Sequence, residues 1–82
     1  METSKFRVQE ISTVQDAIKV AKAEVKNPYA QAYLKAIPDA VEHYGTDGFK
    51  TQLLYVMSNL AGWRGENARR CKGILKAYLK DN

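Results

Sequence analysis

The strongest constraint on what this chain can fold into is its punctuation. Asn27-Pro28, Gly45 and Gly62-Trp63-Arg64-Gly65 interrupt stretches in which apolar residues recur at helical spacing. Asn27 brings a capping amide, and Pro28 stands at a first helical position, where a missing N–H costs nothing. Gly45 suits the left-handed residue that closes a helix.

Between the breaks the apolar phase predicts helices. The first begins at Ser12 or Thr13, whose hydroxyls can cap it, with Asp16 near the positive end of its dipole. Val14, Ala17, Ile18, Ala21 and Val25 form its stripe, and Lys19, Lys22 and Lys26 lie away from it. From Pro28 onward, Ala30, Tyr33, Leu34, Ile37, Val41 and Tyr44 keep one phase. Pro38 falls inside that run, where it would cost a straight helix about 3 kcal/mol, so it either kinks one helix or divides two near Ile37. Thr46 or Asp47 caps the next helix, which buries Phe49, Leu53, Val56, Met57 and Leu60. Leu54, Tyr55 and Ala61 widen that face, so this helix is expected to be the most buried. The last helix opens with Glu66 and Asn67 and turns Ala68, Cys71, Ile74, Leu75, Tyr78 and Leu79 inward.

Residues 1–11 alternate weakly, with Phe6, Val8 and Ile11 apolar, and a lone strand cannot form a sheet, so they are expected as an extended arm laid on the helices. The fold class that follows is all-α: a compact bundle of four to five short helices whose last two form an α-hairpin or a helix-turn-helix-like unit. Its 82 residues make a single domain, 1–82. Ten alanines suit close helix packing.

Composition narrows the function classes. No hydrophobic run reaches the length that spans a bilayer, the N-terminus lacks a signal-type apolar region, and a single cysteine cannot form an internal disulfide. A cytoplasmic protein is expected. His43 stands alone, without the spacing of a zinc site, and no phosphate-binding glycine loop is present. Cys71 lies on an apolar helical face, where a thiol behaves as a small hydrophobe. Asp39, Glu42 and Asp47 read as a solvated acidic rim, or as a docking patch for a basic partner or another copy of the chain. A non-enzymatic protein with no metal and no cofactor is expected.

Charge is asymmetric within the net +4: residues 1–48 carry six Lys or Arg against seven Asp or Glu, and residues 49–82 carry seven against two. Arg69, Lys72, Lys76 and Lys80 line up beside the apolar face of the last helix. Such a stripe favours an anionic partner. As a nucleic-acid reader the helix would present Arg64, Asn67, Arg69 and Arg70 to bases, because Arg pairs with guanine and Asn with adenine. Lys72, Lys76 and Lys80 would lie against phosphates. Gly73 weakens the outward side of this helix, which asks for a reason such as close approach of a partner.

The rival class is a protein-interaction module, an adaptor or inhibitor that uses Trp63, Arg64 and Tyr55, with Tyr29 and Tyr78 adding contact area. In a bundle this small, a sole Trp more often plugs one end of the core. The apolar side of the basic helix is needed for that core and is not free to enter a membrane.

Overall fold

The computed structural model describes residues 7–81. Within them lie a short 3-10 turn, Val8–Glu10, and four helices: α1 (Val14–Glu24), α2 (Pro28–Lys35), α3 (Ile37–Met57) and α4 (Glu66–Asp81). No strand occurs among the described residues, and the chain is an all-α bundle.

The first two helices begin where their local chemistry directs. Thr13 is the N-cap of α1: its hydroxyl accepts from the Asp16 N–H at 3.0 Å. The Asp16 carboxylate in turn accepts from the N–H groups of Ser12 and Thr13, each at 3.1 Å. This reciprocal box satisfies donors that the first turn leaves open. Those backbone N–H groups hold the Asp16 carboxyl below its usual value. Their stabilisation is therefore complete above the ordinary carboxylate range and is lost as pH falls through the lowered value. Asn27 caps α2, its Oδ1 accepting from Tyr29 at 2.8 Å and Ala30 at 3.1 Å, with Pro28 in the first turn.

The far ends of α1 and α2 are closed by glutamines from the following helix. Gln31 Nε2 donates to the Val25 carbonyl at 2.7 Å and lies 3.2 Å from that of Lys22. Gln52 Nε2 donates to the Tyr33 carbonyl at 3.1 Å. Carbonyls at these helix ends thus gain donors from across the bundle, that of Tyr33 in addition to the Ala36 N–H.

Pro38 divides rather than kinks. Ala36, at φ −86° and ψ −4°, stands alone between α2 and α3, and Pro38 sits in the first turn of α3, where its absent N–H is not missed. The sharp bend comes later, at Gly45 (φ 64°, ψ −143°), a conformation open essentially to glycine. Beyond it the chain turns back, so that Tyr33 of α2 meets Tyr55 of α3 with ring centroids 5.3 Å apart. Gly48 completes the corner: it is buried, and a Cβ there would meet the Ala40 carbonyl and lie 2.7 Å from Tyr44 Cβ.

The second half of α3 and α4 run antiparallel as a hairpin. Leu60 and Trp63 are buried at its closed end, and Phe49 meets Tyr78 edge-on at 5.7 Å toward the other. The connection, residues 58–65, is longer than the three- or four-residue turn of a helix-turn-helix. α1 packs most extensively on α4, and α2 on α3. The core joins Ile11, Ile18, Val20, Leu34, Leu53, Val56, Leu60 and Leu75, with buried Ala17, Ala21, Ala30 and Ala68 where backbones come close.

Two expectations fail here. α3 is not the most buried helix: Leu54 is 53% exposed and Tyr55 49%, and Val41 and Tyr44 are also exposed. α2 and α4 cover only a strip of α3 around Leu53 and Val56, and residues 41–47 form the outside of the corner. The N-terminal arm is only partly extended. Arg7 and Ile11 have extended backbone, the 3-10 turn lies between them against α4, and Ile11 is sealed into the core. Phe6 and the rest of that arm lie outside the described residues.

Two glycines give opposite outcomes. Gly48→Ala forces a methyl group against the Ala40 carbonyl and is expected to cost about 1–3 kcal/mol. Gly73→Ala meets nothing within 4 Å and is expected to raise stability by up to about 1 kcal/mol. Thermal melts of the two variants check this; similar shifts would contradict the corner.

Candidate nucleic-acid interface

α4 sorts its side chains by its period. Ala68, Cys71 and Leu75 are buried, and Ile74, Tyr78 and Leu79 pack half-buried beside them. The opposite side carries Arg69, Gly73, Lys76, Ala77 and Lys80, all exposed, with Lys72 half-buried at the margin. Glu66 near the helix start and Lys80 near its end suit the dipole.

The residues expected at a nucleic-acid interface do not all face one way. Arg69, Lys76 and Lys80 share the outward face, and Arg64 is exposed on the connection before it. Among the described residues no hydrogen bond or ion pair engages Arg64, Arg69, Lys72, Lys76 or Lys80. Arg70 is different: its Nε donates to the Ile11 carbonyl at 2.7 Å and fastens the N-terminal segment to α4. Asn67 is also turned inward, its Nδ2 donating to Glu24 Oε2 at 2.9 Å. Asn67 is thus committed within the fold, and Arg70, still exposed, spends its Nε on the backbone.

Glu24 is a site residue that its neighbours in sequence do not reveal. At the last turn of α1 it accepts from Asn67 through one oxygen and from Trp63 Nε1, at 3.2 Å, through the other. Trp63 is 9% exposed and belongs to the core. As an exposed anchor it is ruled out, because both its ring and its N–H are committed. Of the residues expected for a protein interface, Arg64 and Tyr55 remain exposed, Tyr55 resting on Tyr33.

A groove of about 580 Å³ runs along α4 beside the 3-10 turn. Val8, Gly73, Ile74 and Ala77 give it apolar walls, and Arg69, Arg70 and Glu66 stand around it. Gly73 opens directly outward, with nothing within 4 Å of where a Cβ would be.

The other chemically capable residues are scattered. His43 is exposed, with Nδ1 2.9 Å from the Asp39 carbonyl, and Asp39, Glu42 and Asp47 are exposed as well. Among the described residues no three His, Cys, Asp or Glu side chains converge as metal ligands would. Burial, reinforced by Glu24, pushes the Cys71 thiol up to about 11, with Arg70 opposing. No described helix is long and apolar enough to cross a membrane.

No family model, curated protein or solved structure matches this chain. The functional reading rests on its own geometry.

Two outcomes test this arrangement. Trp63→Phe keeps the ring in the core but removes its bond to Glu24, and a loss of about 1 kcal/mol or more is expected in denaturant unfolding. Cys71, raised from 9.0 to about 11, is expected to resist iodoacetamide at pH 8 in the folded protein and to react fully once unfolded. Rapid labelling of the native thiol would contradict its burial.

Proposed function

We propose that this protein is a small non-enzymatic accessory factor of the cytoplasm that binds nucleic acid through the outward face of α4. One observation carries the reading: Gly73 is open to solvent in the middle of a helix and is flanked by Arg69, Lys76 and Lys80, which have no partner among the described residues. A mid-helix glycine lowers helix stability by about 1 kcal/mol relative to alanine. Among the described residues no contact accounts for that cost at Gly73. Close approach by an anionic partner does, and the cations around it supply the attraction.

The length of the stripe also suits a phosphate backbone. Arg69 to Lys80 covers roughly 16 Å at the helical rise, about the length of five phosphates along one strand. Arg64 and Lys72 extend the positive field to either side. Arg70 and Asn67 contribute by holding α4 in place, through Ile11 and Glu24.

A second reading, an adaptor that docks another protein, draws on the exposed Tyr29, Val41, Tyr44, Leu54 and Tyr55 of α2 and α3. It no longer draws on Trp63. Its residues lie away from α4, so charge reversal on α4 separates the two readings.

Fluorescence anisotropy with labelled oligonucleotides tests the proposal. Binding is expected to weaken with salt, on a log–log slope of magnitude about 3 to 4 if five cations meet a single strand. Arg69→Glu with Lys76→Glu is expected to reduce affinity by more than about tenfold while the helical circular dichroism stays unchanged. Full affinity in a folded double variant would end this reading.

A further inference from the structure

The groove between the 3-10 turn and α4 adds a preference to that reading, on which this inference rests. We propose that the groove takes a single strand, with bases lodged against Gly73, Ala77, Ile74 and Val8 and phosphates on the cations beside them. Duplex DNA is a poorer occupant for a steric reason. An α-helix with its side chains is about 10–12 Å across, and the major groove is about 12 Å wide, so a recognition helix enters with little room at its sides. α4 does not stand clear in that way. The Val8–Glu10 turn lies along one flank, fastened by the 2.7 Å bond from Arg70 to the Ile11 carbonyl, and α3 packs on α4 as well.

A single strand needs no such clearance. Its bases are unstacked and can lodge in a slot, and apolar and guanidinium surfaces accept them without regard to sequence. The groove, at about 580 Å³, falls in the ordinary range for ligand sites. Gly73 sets its depth. A side chain there would project from the outward face between Arg69 and Lys76 and shallow the slot, whereas its absence leaves apolar wall exposed next to positive charge. Charge sorts the contacts: Arg69 near the start of α4 and Lys76 and Lys80 farther along attract phosphate, whereas Glu66, on the same rim as Arg69, repels it. Glu66 can instead accept from a base amino group.

The test compares a labelled 15-nucleotide single strand, as DNA and as RNA, with the corresponding duplex DNA at one salt concentration, for the full chain and for Gly73→Leu. The unmodified chain is expected to bind single strands about tenfold tighter than duplex, and Gly73→Leu to lose about tenfold in single-strand affinity by filling the slot. That variant removes no charge and replaces glycine with a strong helix former, so its salt slope should be unchanged and its melting temperature equal or higher. Duplex binding as tight as single-strand binding would overturn the groove proposal while leaving α4 as the nucleic-acid face. Undiminished single-strand affinity in Gly73→Leu would do the same. Absence of binding to every oligonucleotide at low salt would overturn both readings together.

Discussion

The carboxylate of Glu24 is where three parts of the chain are brought to one point. It ends α1, receives the indole N–H of Trp63 from the connection after α3, and receives the amide of Asn67 from the first turn of α4. A half-buried carboxylate would be costly to leave without donors. With both oxygens engaged, it sets where α4 starts relative to α1. The small buried residues Ala17, Ala21, Ala68 and Cys71 then let the two helices lie close. The rotation of α4 about its axis follows from that packing, and with it the direction in which its cations point. The outward placement of Arg69, Lys76 and Lys80 is thus decided on the opposite side of the helix.

Local signals carried the helix starts. Thr13 with Asp16 and Asn27 with Pro28 each act within a few residues, so the sequence around them is sufficient to place them. The inward face of α4 was legible for the same reason, since its period repeats over the whole helix. What the sequence could not show depends on partners far along the chain. Arg70 and Asn67 look like base readers until Ile11 and Glu24, 59 and 43 residues away, are placed beside them. Leu54 and Tyr55 look like core because apolar character says nothing about how many neighbours a helix has. Gly48 carries no local mark of its role, because its need is set by the Ala40 carbonyl across a corner.

The two ends of the charge distribution also become separable in space. The acidic residues Asp39, Glu42 and Asp47 sit around the outside of the Gly45 corner, on the first part of α3. Arg69, Lys76 and Lys80, without partners among the described residues, sit on α4, whose main packing partner is α1. A protein with net charge +4 therefore presents one face far more positive than its average, which is the condition for steering an anion toward one orientation. That field is exposed, so its reach in solution shrinks to about a Debye length, near 8 Å at physiological salt.

The glutamine closures at the ends of α1 and α2 have a consequence for how the chain assembles. Gln31 lies beyond α1, so the carbonyls of Lys22 and Val25 receive its amide only once the following segment exists. Gln52 instead adds a second donor to a Tyr33 carbonyl that the Ala36 N–H already serves. During synthesis, α1 would emerge with a frayed end and be completed only when α2 follows it. Order is handed along the chain from the N-terminal side, and the early helices become fully bonded only as the bundle comes together.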